Sequence, residues 1–299
     1  MAREFTQLSD GGAFFESPRW HDGRWWLSDF YRHQVVTVTT DGTEQVELEV
    51  EGQPSGLGWM PDGSLLAVSM TDRRILRRAA DGTVSVHTDV AELCGGHLND
   101  MVVAATGHAY AGNFGFDLMG GADPAPADLI HIAPDGNAAV AAEGLVFPNG
   151  SVITPDGSTL IVGETAGARY TAFAIGADGR LDDRRVWAQV APAPEIGTLE
   201  ETLSQLEFGP DGCTLDAEGQ IWSADEVNAR CARIEEGGRV TDEIAAPEGL
   251  NIFACALGGP DGRTLLACAA PDFHEQARAA AREAVLLTVE VDVPHAGLP

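Results

Sequence analysis

Short apolar runs separated by tight turns recur along the whole chain. In one copy an apolar run at 213–215 is followed by the turn signal Asp216-Ala217-Glu218-Gly219 and by a second strand-like run at 220–223. Such alternation of apolar runs and Gly-containing turns predicts antiparallel hairpins. The acidic residue ahead of the first run, Asp211, stands in Pro210-Asp211-Gly212, which is typical of a tight turn.

The same plan occurs six times. A lead residue stands eight positions before the hairpin glycine in five copies, as Asp211 stands before Gly219, and seven positions before it in the first copy. The six lead residues are Glu16, Ser55, Asn99, Asn149, Asp211 and Ala254. Further turn signals follow roughly 20 residues later, so each unit has about four short strands, the size of a propeller blade.

The sequence therefore predicts an all-β fold, in which one domain over 1–299 forms a six-bladed β-propeller with four-stranded antiparallel blades around a central channel. An elongated β-solenoid is the alternative, although its parallel coils do not suit antiparallel hairpins. Residues 273–284 have helical propensity. Residues 285–293 are predicted to form one more strand, which returns to pair with the first blade (13–50) and closes the ring.

Two segments interrupt the strand pattern. Residues 115–128 are rich in Gly and Pro, which is typical of an exposed loop near a channel mouth. Residues 191–207 (APAPEIGTLEETLSQLE) form either a loop over the channel mouth or a simple connector with a helical turn.

In a propeller the innermost strands surround the channel, so equivalent positions of different blades converge on one axis. Glu16, Asn99, Asn149 and Asp211 are then expected to lie close together although they are far apart in sequence. The alternative is that Asn and Asp stand there only as turn formers.

Glu16, Asn149 and Asp211 offer two carboxylates and one amide oxygen. Hard oxygen donors suit Ca²⁺, Mg²⁺ or Mn²⁺, and Zn²⁺ would lack its preferred His or Cys ligands. Three protein ligands leave positions for water and substrate, so this set favours metal-assisted hydrolysis of an ester-like bond. His97 and Asn99 are candidates for substrate contact, while a surface or hydrogen-bonded loop histidine is the alternative for His97.

Composition narrows the class of partner. The chain has 18 Lys and Arg against 46 Asp and Glu, a net charge of -28, which disfavours nucleic acid and anionic membranes. Its five cysteines are odd in number and lack CxxC spacing, so neither a zinc cluster nor a disulfide framework is predicted. Without an apolar leader or a run of transmembrane length, we expect a cytoplasmic monomer or homodimer.

Five segments together resemble the SMP-30/gluconolactonase/luciferin-regenerating-enzyme-like family of six-bladed propellers. They are FFESPRW at 14–20, HLNDMVV at 97–103, FPNGSVITPDG at 147–157, PDGCTLDAEGQIWSAD at 210–225 and FACALGGPDGRTLLACA at 253–269. The resemblance implies one divalent metal ion held by Glu16, Asn149 and Asp211. Ca²⁺ is the leading candidate, with Mg²⁺, Mn²⁺ or Zn²⁺ as alternatives. It also implies that Asp211 is the general base of lactone hydrolysis.

The same resemblance implies that Asn99 contacts substrate or metal. In the sugar lactonases of the family an arginine two residues before this asparagine helps to hold sugar hydroxyls, and an acidic residue follows downstream. Here these positions correspond to His97 and, more loosely, to Asp117. Both departures make a less polar lactone or another ester as good an expectation as a sugar lactone. Phosphotriester hydrolysis at the same metal, or a non-catalytic metal-binding propeller, are the alternative functions.

Overall fold

The computed structural model describes residues 3–297, and in this part of the chain 24 strands form six antiparallel sheets of four strands each. The sheets follow one another around a ring as the blades of a propeller. This confirms the predicted all-β, six-bladed architecture and excludes the solenoid. Each blade except the sixth is a simple meander of four consecutive strands.

The first strand of the chain, β1 (Thr6–Gly12), belongs to the sixth blade. Blade 1 comprises β2 (Phe15–His21), β3 (Arg24–Asp29), β4 (Gln34–Val38) and β5 (Glu44–Glu49). Blade 2 comprises β6 (Pro54–Trp59), β7 (Leu65–Ser69), β8 (Arg74–Arg78) and β9 (Val84–Asp89). Blade 3 comprises β10 (Leu98–Val103), β11 (Ala109–Asn113), β12 (Ala127–Ile132) and β13 (Ala138–Leu145).

Blade 4 comprises β14 (Pro148–Ile153), β15 (Thr159–Glu164), β16 (Arg169–Ile175) and β17 (Leu181–Gln189). Blade 5 comprises β18 (Pro210–Leu215), β19 (Ile221–Asp225), β20 (Arg230–Ile234) and β21 (Val240–Ala245). Blade 6 contains β22 (Asn251–Gly258), β23 (Thr264–Ala270) and β24 (Ala284–Glu290). The helices are α1 (Leu199–Ser204) and α2 (Glu275–Ala281), and 3₁₀ turns occupy Phe30–Arg32, Ala91–Leu93 and Thr165–Gly167. Across 3–297 no helix is long and apolar enough to cross a membrane.

The ring closes within the sixth blade. There β1 is the outermost strand and pairs antiparallel with β24, with Thr6 opposite Thr288. The predicted strand near 285–293 therefore exists, but its predicted pairing with the first blade is wrong because β24 lies between β1 and β23. The closing strand was missed because its sequence, TQLSDGG, is polar and mostly exposed and so lacks an apolar strand signal.

Neighbouring blades pack face to face through apolar clusters. Val102, Tyr110 and Leu129 of blade 3, for example, are buried against Leu160 and Phe173 of blade 4. All five cysteines are buried and free. The cores therefore lie between the blades, which leaves the starts of the innermost strands to form the channel mouth.

The innermost strand of every blade carries a shift in pairing register near its start. These shifts lie between Glu16 and Arg19, Pro54 and Leu57, Leu98 and Met101, Pro148 and Ser151, Pro210 and Cys213, and Ile252 and Ala254. Pro210-Asp211-Gly212 is thus not the predicted tight turn, since these residues open strand β18 at such an irregularity. Bulged strands re-aim side chains, which frees the lead residues from the alternation of the sheet.

Candidate active site

A cleft of about 990 Å³, including its open mouth, lies where the innermost strands begin. Five of the six predicted site residues line it, and these are Glu16, His97, Asn99, Asn149 and Asp211. Asp117 is exposed and accepts a hydrogen bond from the backbone N–H of Gly120 at 2.8 Å. It is absent from the cleft lining, so its contact with substrate stays a prediction.

We call Glu16, Asn99, Asn149 and Asp211 the floor of the cleft, and all four are buried. Burial, followed by the charge of Asp100, raises the pKa of Glu16 to about 8. Burial and then the charge of Glu16 raise the pKa of Asp211 well above its ordinary value. Both carboxyl groups therefore resist ionisation in the metal-free protein, which is the signature of like charges that share a desolvated site.

A third acidic group of this region, Asp100, has its own cationic partner. The guanidinium of Arg19 lies 3.1 Å from its carboxylate, and the hydroxyl of Ser17 donates to the same oxygen at 3.0 Å. Asp100 is therefore compensated by the protein itself. No Lys, Arg or His of residues 3–297 forms a comparable ion pair with Glu16 or Asp211, so these two groups have no cationic partner within the described protein when they are ionised.

Hydrogen bonds fix the orientation of the Asn149 amide. The hydroxyl of Thr165 donates to the carbonyl of Pro210 at 2.7 Å, so its oxygen is free to accept from Asn149 Nδ2 at 3.1 Å. Asn99 Nδ2 in turn donates to Asn149 Oδ1 at 3.1 Å. These hydrogen bonds orient the amide oxygen of Asn149 towards Asn99 on the floor, and an amide oxygen has a second lone pair besides the one that accepts from Asn99.

Gly150 brings the innermost strands of blades 4 and 5 together. A Cβ atom built on Gly150 would lie 2.3 Å from the carbonyl oxygen of Asp211, which no side chain tolerates. The glycine therefore permits the close approach that places Asn149 beside Asp211.

Buried carboxylates at the ends of second strands hold the backbone just ahead of the three predicted metal ligands. Asp29 accepts from the N–H of Phe14 at 3.1 Å, Glu164 from that of Val146 at 2.8 Å, and Asp225 from that of Gly209 at 3.3 Å. We call Asp29, Glu164 and Asp225 the anchor carboxylates. Each has a fully buried side chain and an arginine partner in its own blade, namely Arg32, Arg169 and Arg230.

Within the described part of the chain, only the three blades that supply Glu16, Asn149 and Asp211 have an anchor carboxylate. The corresponding last residues of the second strands in blades 2, 3 and 6 are Ser69, Asn113 and Ala270. The three blades that present candidate ligands thus share an extra device that fixes the entry of the chain into the innermost strand.

The donor set fits a hard divalent cation. It comprises two buried carboxylates without a cationic partner and one amide oxygen directed to the same floor. No group of three His, Cys, Asp or Glu residues within 3–297 has the arrangement of a metal site, so a cation here would depend on Asn149. Oxygen-only donors of this kind suit Ca²⁺, Mg²⁺ or Mn²⁺.

Two polar residues of the cleft that the repeat pattern does not mark are Glu226 and Thr165. Glu226 and Thr165 each follow directly after the second strand of their blade, and both line the cleft. Burial, followed by the charge of Asp225, raises the pKa of Glu226 to about 7. Hairpin register could have found both, because Pro210 pairs with Asp225 and the next residue, Glu226, then faces the start of β18.

The segment 191–207 combines the two alternatives predicted for it. It contains the helical turn α1, which begins with a capping box formed by Thr198 and Glu201. This helical turn, which lies between blades 4 and 5, also covers the cleft, because Leu199 and Leu203 line it. The loop at 115–128 lies on the same mouth and contributes Phe116 and Met119.

Comparisons with a family model and with individual proteins point to the same family. A family model that describes the SMP-30/gluconolactonase/LRE-like region matches residues 14–270. A pentonolactonase of Haloferax volcanii is 24% identical over 208 residues, 69% of this chain and 64% of the relative. A 6-deoxy-6-sulfogluconolactonase of Pseudomonas putida is 27% identical over 137 residues, 46% of this chain and 43% of the relative. The matches thus span less than two thirds of both relatives.

A solved structure supports the fold over the full length. The calcium-binding protein regucalcin of Agrobacterium tumefaciens strain C58 superposes with a TM-score of 0.79, at 20% identity, over 100% of this chain and 96% of the other. At this level of identity the similarity establishes only the propeller fold. The chemistry of the site has to be inferred from the residues of the cleft.

Proposed function

The chain belongs to the SMP-30/gluconolactonase/LRE-like family, and from this premise we propose that it is a metal-dependent lactonase. The pentonolactonase and the sulfogluconolactonase among its relatives support the reaction class. The observation that carries the proposal is the convergence of Glu16, Asn149 and Asp211 from three blades on the floor of one cleft. An amide and two carboxylates with raised pKa values form a site that a cation would complete.

Glu16, Asn149 and Asp211 would hold the cation, with Ca²⁺ as the first candidate and Mg²⁺, Mn²⁺ or Zn²⁺ as alternatives. When bound, the metal supplies Lewis-acid polarisation of the lactone carbonyl. The other elements of the mechanism come from the chain itself. Asn99, held by Ser55 and Asn149, has an amide in reach of a substrate on the floor. His97 lies at the side of the cleft as a substrate contact.

Asp211 is proposed as the general base. Its carboxylate takes a proton from the attacking water as the oxygen of that water bonds to the acyl carbon. The bond between the acyl carbon and the ring oxygen then breaks, and the ring oxygen leaves as an alkoxide that takes up a proton. The product is the open-chain hydroxy acid, and one water is consumed for each ring opened.

The test begins with elemental analysis of the purified protein, followed by a pH-indicator assay on γ- and δ-lactones with the metal found. We expect EDTA to abolish turnover, and Asp211→Asn to lower kcat by about 10²- to 10⁴-fold with the fold intact. Asp182→Asn, an exposed aspartate on the outer strand of blade 4, is the matched control and should retain full activity.

Other outcomes separate the competing functions. Full activity after stringent metal removal would overturn the proposal. Hydrolysis of paraoxon in preference to every lactone would favour a phosphotriesterase. Tight metal binding without hydrolysis of any lactone or ester would indicate a non-catalytic propeller.

A further inference from the structure

Aromatic side chains form a large part of the cleft above its floor. Seven of the residues that line it are phenylalanines. Phe114 and Phe147 pack with ring centroids 4.9 Å apart, and Phe116 lies 6.2 Å from Phe147. Across the cleft Phe14 and Phe253 pack at 4.8 Å. We call this aromatic surface the wall of the cleft.

The mouth of the cleft is also apolar, although it faces water. Met119, Leu203 and Phe273 all line the cleft, and they remain 43%, 46% and 36% exposed. They come from three separate segments: the loop at 115–128, helix α1 and the approach to helix α2. These large apolar side chains come from separate segments and surround one opening. Such an exposed apolar patch is typical of a surface that binds an apolar ligand.

Three polar side chains that line the cleft above its floor are already hydrogen-bonded within the protein. Tyr31 donates its hydroxyl to the carbonyl of Phe273 at 2.6 Å, and Gln53 donates to Glu275 at 3.1 Å. Thr202 accepts from the backbone N–H of Gly197 at 3.1 Å. A ligand with several hydroxyl groups would therefore lose its hydration on this wall and find few free partners.

Cationic side chains are missing from the lining as well. Within residues 3–297 no Lys or Arg lines the cleft, and His97 is the nearest substitute. Its ring lies 5.8 Å from that of Phe114, and burial lowers its pKa, which favours the neutral imidazole. A neutral ring against an aromatic face offers one donor at most, and so it fits an uncharged ligand.

We propose, on the basis of the lactonase function inferred above, that the substrate is a lactone with an apolar alkyl or aryl substituent. The lactone ring lies on the polar floor, where the carbonyl meets the reacting groups. The substituent extends along the wall of phenylalanines towards Met119, Leu203 and Phe273. This separation of a polar floor from an apolar wall matches a molecule with one polar end, and it opposes a polyhydroxylated lactone.

The experiment compares the metal-loaded protein on a homologous series from γ-butyrolactone to γ-decanolactone, with D-glucono-δ-lactone beside it. We expect kcat/KM to rise by about 4-fold for each added methylene that reaches the wall. We expect γ-decanolactone to exceed gluconolactone by at least 10-fold. A flat series, or a preference for gluconolactone, would overturn the inference while leaving the lactonase function intact.

Variants at the mouth show where the substituent lies. Leu203→Ala should lower kcat/KM for γ-decanolactone by about 3- to 10-fold and lower it less for γ-butyrolactone, because it removes contact area from the wall. Met119→Ala, in the loop at 115–128, is an independent variant for which we expect the same difference between the two lactones. Val86, which is 53% exposed on the outer strand of blade 2, supplies the control variant Val86→Ala, and this variant should change kcat/KM for neither lactone. Equal losses on both lactones would contradict the assigned position of the substituent.

A binding measurement separates this inference from the proposed reaction. Lactams are not opened under these conditions, so 5-hexyl-2-pyrrolidinone and 2-pyrrolidinone can be compared by calorimetry. Tighter binding of the hexyl compound, with a negative heat-capacity change, supports the apolar wall even if no lactone is hydrolysed. Equal binding of the two lactams overturns the wall, whatever the protein hydrolyses.

Discussion

At the floor of the cleft, the surroundings of Glu16 disfavour the ionised form of its carboxyl group. Burial and the nearby charge of Asp100 raise its pKa from 4.5 to about 8, and Asp211 is shifted in the same direction. A folded protein that binds protons more tightly than its unfolded chain loses stability as the pH rises between the two pKa values. The metal-free protein should therefore lose free energy of unfolding from about pH 4.5 to pH 8.

Glu16→Gln tests this directly. Glutamine keeps the shape but has no charge, so in EDTA at pH 8 we expect a free energy of unfolding roughly 4 kcal/mol above that of the wild type. At pH 5 the two proteins should differ little. Urea unfolding at both pH values provides the measurement. Calorimetry should show weaker metal binding by the variant and loss of the proton release that accompanies metal binding to the wild type.

The control for this experiment is Glu49→Gln, an exposed carboxylate on the outer strand of the same blade. It should leave the pH dependence of stability unchanged. A Glu16→Gln protein with the pH dependence of the wild type would mean that Glu16 does not carry the cost of charge on the floor.

Single residues could be predicted from the sequence where the repeat marks them. Glu16, Asn99, Asn149 and Asp211 hold the lead position of their copies, and all four lie on one floor. Residues placed by side-chain hydrogen bonds carry no periodic signal. Thr165 orients Asn149 through a bond to another blade's backbone, which sequence spacing alone does not indicate.

Among the structural elements, the starts of the innermost strands decide the site. The anchor carboxylate Asp225 accepts from the N–H of Gly209, two residues before Asp211, and pairs with Arg230 at 2.8 Å. Its side chain is fully buried, whereas Glu243, the other partner of Arg230, is 60% exposed. The two acidic residues therefore differ in burial while sharing one guanidinium.

Asp225→Ala should lower the free energy of unfolding by roughly 3–5 kcal/mol, because it leaves Arg230 and the N–H of Gly209 without their buried partner. Metal affinity should fall as well, since the strand start that carries Asp211 loosens. Glu243→Ala is the matched control and should cost about 1 kcal/mol or less. Chemical denaturation and metal titration check both effects, and equal losses in the two variants would refute the role of the anchor.

The sequence predicts these elements unevenly. Hairpins are found from apolar runs and turn glycines, because both signals are local. The irregularity at Pro210-Asp211-Gly212 resembles a turn in sequence, since bulges and turns use the same residue types. For 191–207, propensity indicates the helical turn but does not say which surface it covers.

At the scale of the whole molecule, the ring depends on one polar strand. Deleting residues 1–12 removes β1 and leaves the outer edge of β24 unpaired. We expect a loss of several kcal/mol in free energy of unfolding, and self-association through the open edge. Denaturant unfolding and light scattering measure both. Arg3→Ala is the control, because it removes only the ion pairs to Asp242 and Asp292, and it should remain monodisperse near wild-type stability.

The number of blades could be predicted because each repeat carries its own turn signal. The closing strand β24 could be predicted as well, but its partner could not, because that partner, β1, lies at the opposite end of the described chain and is polar. The polar sequence of β1 is also typical of an unstructured terminus. Only the pairing with β24 identifies it as a strand.

The seam between β1 and β24 also sets the order of events during synthesis. Roughly 270 residues must leave the ribosome between the two strands, which takes on the order of 10 to 60 s. Until then the ring of the nascent chain is open, and blade 1 has no complete sixth blade to pack against. The ring around the cleft can be completed only after translation has passed β24, so no shorter product of translation carries the closed ring.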